Sequence, residues 1–377
     1  MPVAHATGIR FFFAEVRSSP MVTAVDAAAI ATPVTPRRGG LWRYILIRLL
    51  LILPTVFILV TVVFFLMRIT GDPITAALGG RLPADQLAER IAAAGYDRPL
   101  FIQYLEYLGG VFRGDFGTTL TDNRPVIGIL VQYGAATLEL AFYALIVAFL
   151  IGIPFGLIAA YRRDRWQDAV LRIGAILGYA TPIFFVGLLL KLVFSIWLGV
   201  LPVAGRAGTR TELKLQSLDA PTGIYLIDAL RLGDGAAIGD VLTHAVLPGL
   251  ALGILTAGIF LRLVRTNVIG TLGAQYVTSA RSRGVPEFRL VTKHAYRPAL
   301  IPIVTVIGLQ IALLLSGAVL TESTFEWKGI GFMLSEYLKA RDFVAVQGIV
   351  VMIAVVVALT NFFVDVIAAL IDPRVRY

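Results

Sequence analysis

Cysteine is absent from the 377 residues, which excludes disulfides, thiolate metal sites and a cysteine nucleophile. Histidine is nearly absent: His5, His244 and His294 are scattered, with no spacing that would gather a metal. Charge is also scarce, at 15% of residues against roughly a quarter in soluble domains. No GxxxxGK[ST] pattern occurs, so the chain lacks that phosphate cradle for ATP. An intramembrane enzyme would need a nucleophile–base pair or clustered ligands at membrane depth, and the residue inventory argues against both.

What is present is apolar. Hydrophobic residues make up 58% and the mean hydropathy is +0.82, which reads as an integral membrane protein. Apolar runs fall at Tyr44–Met67, Ala135–Ala160, Ile173–Leu198, Ala245–Leu263, Ala299–Leu320 and Val344–Ile371. Each is near or above the ~20 residues a helix needs to cross a bilayer. They do not alternate as barrel strands would, and backbone groups in lipid must be satisfied within the segment, so all six are read as helices.

The net charge of +9 follows from orientation. With the N-terminus inside, the inner segments hold 17 Lys/Arg in 66 residues and the outer ones 13 in 132. That bias is the positive-inside pattern. Both termini are therefore expected to be cytoplasmic, and nucleic acid is not needed to explain the basic balance. Residues 1–40 are expected to form a flexible tail without a secretory signal, with Met21 an alternative start. The expected layout is a first span at 41–67, a helical loop at 68–134, a five-helix transmembrane core at 135–371 and a short tail at 372–377.

The loop after the first span has its own pattern. Pro83 stands at a helix N1 position with Gly95 as the stop, and a second helix is expected over Pro99–Leu108. Gly114-Asp115-Phe116-Gly117 marks a turn. This segment reads as a cap on the outer mouth, or as a docking surface. Residues 200–243 read as a solvated loop. In 323–343, Phe325 and Trp327 read as interfacial aromatics, or as part of a re-entrant segment, followed by an amphipathic stretch at Phe332–Ala340.

The segment Tyr276–Pro302 is the most ordered sequence signal. Ala280 is followed by Gly284, suited to a left-handed helix stop, and Pro286 can open a second short helix. Arg281, Arg283, Arg289 and Lys293 supply positive charge, and Pro298 and Pro302 mark entry into the next span. An ordinary basic inner loop would carry the charge equally well. The spacing favours a rigid force-transmitting element, with Tyr276, Ala280, Arg281, Arg283, Gly284, Val285, Pro286 and Glu287 as its candidate residues.

Together these features resemble the coupling loop of bacterial ABC-importer permeases. From residue 41 onward the chain resembles the first permease subunit of dipeptide/oligopeptide importers. The matching pieces are Gly71-Asp72-Pro73, Tyr96-Asp97-Arg98-Pro99-Leu100 with Gln103-Tyr104, Gly114-Asp115-Phe116-Gly117, Pro125-Val126 and Ala136-Thr137-Leu138-Glu139-Leu140. They continue with Thr181-Pro182-Ile183-Phe184, Leu201-Pro202, His244 to Pro248, the 276–302 block, Asp365 and Asp372-Pro373-Arg374. The usual Glu-Ala-Ala is replaced here by Thr278-Ser279-Ala280, and Trp-Pro-Gly by Trp327-Lys328-Gly329.

The resemblance implies an all-α, six-span type I permease whose coupling loop spans 273–297. It implies a second homologous permease, two ATPase subunits holding ATP and Mg, an extracytoplasmic binding protein and a peptide substrate, in the bacterial inner membrane. This chain would hold no cofactor or metal and catalyse nothing. Nickel, glutathione or another small solute is the alternative cargo. A self-sufficient secondary transporter is the rival class, but no internal repeat and few embedded charges support it. Asp115, Phe116, Phe325, Trp327 and Gly331 are candidates for an outer gate or docking surface. Glu139, Lys191, Gln310, Asn361 and Asp365 are polar groups inside spans, either lining a path or pairing for packing, with Lys191 also free to snorkel. Gly152, Gly156, Gly308 and Gly317 suit close helix packing.

Overall fold

The computed structural model describes residues 41–69 and 71–371. The expected N-terminal tail, the Met21 alternative and the closing Asp372-Pro373-Arg374 lie outside them. The described chain is helical, with one isolated antiparallel bridge between Thr118 and Pro125. Its helices are α1 (Leu41–Ile69), α2 (Pro73–Leu78), α3 (Ala84–Ala93), α4 (Leu100–Phe112), α5 (Val126–Tyr161), α6 (Trp166–Ala180), α7 (Ile183–Leu190), α8 (Thr209–Gln216) and α9 (Tyr225–Leu232). They continue with α10 (Gly235–Leu272), α11 (Gln275–Ser282), α12 (Glu287–Arg289), α13 (Tyr296–Phe325), α14 (Ile330–Lys339) and α15 (Phe343–Ile371).

By length and composition α1, α5, α10 and α15 each qualify as a membrane span, and the pair α6/α7 qualifies if its arms are one span. The remaining apolar run lies in α13. The run Ile173–Leu198, expected as one helix, is instead broken into two arms. Its arms meet at 106°. The cause is Pro182, which has no N–H to donate and pushes Thr181 into extended backbone (φ −81°, ψ 132°). The second arm then widens into a π-helix over Lys191–Trp197.

The centre of the molecule is the contact between α5 and α10, which run side by side in the same direction. Gly249 faces Tyr143, Gly253 faces Ala144 and Val147, Gly152 faces Ala257 and Phe260, and Gly156 faces Leu261 and Val264. A Cβ on Gly253 would stand 2.7 Å from Val147 Cβ, and one on Gly152 would stand 2.7 Å from Phe260 Cβ. Two small-xxx-small stripes thus bring the backbones together. Gly258 extends the pattern to α6, where an added Cβ would lie 2.7 Å from the Ala175 carbonyl oxygen. Gly317 of α13 approaches Ile183 and Leu252; the surroundings of Gly308 lie outside the described residues.

Peripheral elements close around this pair. α1 packs against α15, and Arg48 pairs with Asp365 at 3.1 Å. The cap helices depart slightly from expectation. Pro83 is the N-cap of α3 rather than its first helical residue, and α4 runs on to Phe112. α5 begins at Val126, well before the apolar run it carries, because Pro125 supplies a preset entry angle. Residues 200–243 are not a plain solvated loop. They fold as α8, α9 and the first turns of α10 around Ala207, Leu215, Ala229, Ala237 and Val241. Asp234 caps α10 by accepting from the N–H groups of Ala236 (3.0 Å) and Ala237 (3.3 Å).

The tight contact gives a direct expectation. Gly253→Leu should cost roughly 1–3 kcal/mol through overpacking and lower the melting temperature of the detergent-purified protein. Gly270→Leu is the control, since nothing lies within 4 Å of its added Cβ. Equal melting temperatures for the two variants would refute the close approach.

Candidate functional site

Two built regions stand at opposite ends of α10. The first is the connector from α10 to α13. α11 ends in a Schellman turn: Val285 N–H donates to Ala280 O (3.3 Å) and Gly284 N–H to Arg281 O (3.0 Å). Gly284 has φ +78°, a conformation that side chains with a Cβ resist, and no atom lies within 4 Å of where its Cβ would be. Glycine is needed there for backbone geometry alone, not for space. Pro286 is the N-cap of α12 rather than its first residue, and a π-helix over Leu290–Ala295 leads into α13.

The connector is seated firmly. Val277, Leu290, Val291 and Ala295 are buried, and the last two join Phe260, Val264 and Val268 in one cluster. Phe288 meets Tyr161 at the end of α5 edge-on, 5.8 Å between centroids. Arg281 bridges to Glu287 through both carboxylate oxygens at 2.9 and 3.2 Å, tying α11 to α12. The Glu287 carboxylate raises the pKa of Arg281. Tyr276, Arg283, Gly284 and Pro286 are exposed, and Ala280 and Val285 half-buried. Tyr276 and Ala280 fall at i and i+4 on one face of α11, and Arg283 follows as its C-cap.

Beside this end lies a buried ion pair that sequence pattern alone does not reveal. Asp168, fully buried at the start of α6, accepts from Arg265 Nε (2.6 Å) and Nη2 (2.7 Å) of α10. Its signal is an acid in the first turn of a helix, in a stretch where Arg162, Arg163, Arg165 and Arg172 outnumber Asp164 and Asp168.

The second region is a buried polar knot at the other end of α10. Glu139 of α5 pairs with Arg206 at 2.5 Å, and both side chains are almost fully buried. The same carboxylate accepts from Tyr143 O–H (3.1 Å) and from the N–H groups of Tyr225 (3.2 Å) and Leu226 (2.9 Å), capping the start of α9. The Arg206 guanidinium lies 3.7 Å from the Tyr225 ring centre and 5.5 Å from that of Trp327. Trp327 Nε1–H donates to Ala136 O at 2.9 Å. Thr137 O–H donates to Glu322 (2.6 Å) and accepts from Ile330 N–H (2.9 Å), while Glu322 also accepts from Phe332 N–H (2.9 Å). A Cβ on Gly329 would overlap Glu322, and one on Gly331 would overlap Val319. Lys191 donates to Thr324 O (2.9 Å) beside the Phe325 ring.

Several expectations change here. Phe325 and Trp327 are not interfacial anchors, because both are buried within the protein. The Trp327 indole needs an acceptor, and the Ala136 carbonyl supplies it inside the fold. Lys191 does not snorkel, because a protein carbonyl is in reach once the helix is bent. Glu139, Lys191, Phe325, Trp327 and Gly331 are brought together. Asp115 lies apart, exposed and accepting from Gly117 N–H at 2.9 Å, with Phe116 half-buried nearby. Asp365 serves the α1–α15 pair, Asn361 is half-buried on α15, and buried Gln310 has an Oε1 without a partner. Sequence pattern does not single out Arg206, Thr137 or Glu322: Thr137 lies within the Ala136–Leu140 run, and nothing around Arg206 marks it as buried.

No group of His, Cys, Asp and Glu among the described residues could hold a metal. The arrangement is a tight helical bundle with a connector seated on α5 and α10 at one end and a buried polar knot at the other. The comparisons agree. Residues 41–141 match the N-terminal component, and residues 152–377 the main component, of the family described as binding-protein-dependent transport system inner membrane component. The chain belongs to this family of ABC-importer permeases.

The chain is 36% identical over 337 residues to the dipeptide transport system permease protein of Escherichia coli (strain K12), covering 89% of this chain and 99% of that one. It is 38% identical over 332 residues to the di/tripeptide transport system permease protein of Pseudomonas aeruginosa, covering 88% and 97%. It is 34% identical over 335 residues to the glutathione transport system permease protein of Salmonella choleraesuis, covering 89% and 99%.

The knot's central ion pair is testable by a cycle. Glu139→Gln leaves Arg206 buried without its carboxylate and should destabilise by roughly 3–5 kcal/mol, seen as a lower melting temperature. Adding Arg206→Met should recover part of that loss. If the double variant is no more stable than Glu139→Gln alone, the pair is not coupled as drawn.

Proposed function

We propose that this chain is the permease subunit of an ATP-driven importer of dipeptides and oligopeptides. The observation that carries the mechanism is the connector: a turn fixed by backbone hydrogen bonds, seated on α5 and α10, with an exposed face containing Tyr276 and Arg283. Such an element passes displacement to the bundle instead of absorbing it. The peptide cargo is supported by the dipeptide and di/tripeptide relatives, which align along nearly their whole length.

In this reading α11 to α12 faces the cytoplasm, as the positive-inside bias supports, and both termini lie on that side. Two ATPase subunits bind ATP and Mg, and their closure displaces the Ala280–Pro286 turn. α5, α10 and α13 then rock against a second permease subunit to open outward. A binding protein docks at the opposite end, over the cap that includes Asp115 and Phe116, and releases a peptide into the path. The polar knot holds Phe325, Trp327 and Gly331 in register at that mouth. ATP hydrolysis on the partners resets the inward state. This chain contributes no bond-making step.

Gly284 supplies the test. Gly284→Val forces a β-branched residue to φ +78°, a strain of about 1–2 kcal/mol. It should abolish peptide-stimulated ATPase activity and uptake while the complex still assembles. Gly284→Asn, which tolerates that conformation, should retain most of both. Wild-type uptake by the valine variant would sink the coupling role.

A further inference from the structure

A cavity of about 340 Å³ lies away from both regions, between the end of α1, the α3–α4 turn, α4 and the start of α15. Arg68, in the last turn of α1, lines it. The guanidinium lies 5.0 Å from the Phe64 ring centre and 4.6 Å from that of Tyr96. Its Nε and Nη1 are buried and have no hydrogen-bond partner. Neither acid lining the cavity pairs with Arg68: Glu106 bonds Arg98 at 2.5 Å and Asp115 accepts from Gly117 N–H at 2.9 Å, each through one carboxylate oxygen, leaving the other oxygen uncommitted. Gln103 Oε1 lines the same cavity and is also buried without a partner, and Tyr107 Oη lines it beside Gln347, which leaves the Tyr107 O–H free to donate. Gln103 is held in place because its Nε2 donates to Tyr96 O (3.0 Å) and Arg98 O (2.7 Å). Buried polar atoms are rarely left unpaired, and here three of them (Arg68 Nε and Nη1, Gln103 Oε1) border one space.

Their chemistry is complementary to a particular ligand. Arg68 and Tyr107 offer donors to an anion, whereas Gln103 Oε1 offers an acceptor, with two carboxylates nearby to favour a cation. That combination fits a zwitterion with a phosphate and an ammonium group. The position fits lipid. α4 turns Gln103, Tyr107 and Gly110 toward the cavity and exposes Phe101, Leu105 and Phe112 on its other face, while Phe65, Leu66 and Ile69 of α1 are exposed alongside. Apolar surface for acyl chains therefore adjoins polar space for a headgroup.

We propose that this cavity binds the phosphoethanolamine headgroup of a phospholipid, with the phosphate on Arg68 and Tyr107 and the ammonium toward Gln103 Oε1, Glu106 and Asp115. The site would fix α4 and the cap to the leaflet at that end of the molecule. It does not depend on the cargo or on the coupling role.

The test is native mass spectrometry of the intact transporter complex in mild detergent, with phosphatidylethanolamine, phosphatidylglycerol, free phosphoethanolamine or a dipeptide added separately. The wild type should retain phosphatidylethanolamine over phosphatidylglycerol, and Arg68→Gln should lower that retention roughly tenfold or more, as for loss of hydrogen bonds to a charged group. Tyr107→Phe, which keeps the ring, should lower it severalfold and serves if the Arg68 variant does not assemble. Arg113→Gln, at an exposed position just beyond α4, should change nothing. Arg68-dependent retention of free phosphoethanolamine without the lipid would confirm the site and assign a soluble source. Equal lipid retention by wild type and both cavity variants would overturn the proposal, as would Arg68-dependent binding of the dipeptide alone.

Discussion

The close approach of α5 and α10 is the constraint on which the rest of the structure depends. Helices in lipid gain little from the hydrophobic effect between one another, so backbone proximity and interlocking of small residues must hold them. Gly152 and Gly156 on one helix, with Gly249 and Gly253 on the other, supply it. The connector is seated at one end of this pair, through Val291 and Ala295 against Phe260, Val264 and Val268. The polar knot is seated at the other, because Glu139 projects from α5 toward the segment that leads into α10. A bundle that slid at this contact would disturb both ends together.

The two ends use charge differently. Arg281 and Glu287 form an exposed pair, of a kind worth about 0–1 kcal/mol, so the connector's shape rests on its backbone turn and its buried residues. Glu139 and Arg206 are buried, where desolvation is costly and only a full set of hydrogen bonds offsets it. Tyr143 and two backbone N–H groups complete that set on the carboxylate; on the guanidinium the Gly223 carbonyl lies 2.7 Å from Arg206 Nη2, while the buried Nε has no acceptor. The pair is therefore a device for fixing one arrangement. It specifies where the 206–226 segment sits on the bundle more than it adds to stability.

Residue pattern made much of the connector legible. The Ala280–Gly284–Pro286 spacing describes a helix stop, a left-handed turn and a helix start, all local events governed by backbone preference. The polar knot was far less legible. Glu139, Lys191 and Trp327 were recognisable as unusual, but their partners are distant in sequence. Arg206 looked like one more loop cation, and Trp327 like a lipid anchor, because burial of a loop residue has no periodic signature. The bend at Thr181–Pro182 was written in the sequence as a proline, yet hydropathy averaged over the run concealed it.

The sequence by itself determined the class of molecule, the positions of its apolar helices and the form of the connector. Each follows from composition or from contacts within a few residues: apolar length, glycine and proline backbone limits, and the scarcity of charge. Only the tertiary structure decided which polar groups are paired. Glu139 meets Arg206, Asp168 meets Arg265, Asp365 meets Arg48, and Arg68 faces a cavity with no carboxylate committed to it. Those outcomes depend on which helix faces turn toward each other, and that is set by packing across separations no local pattern records.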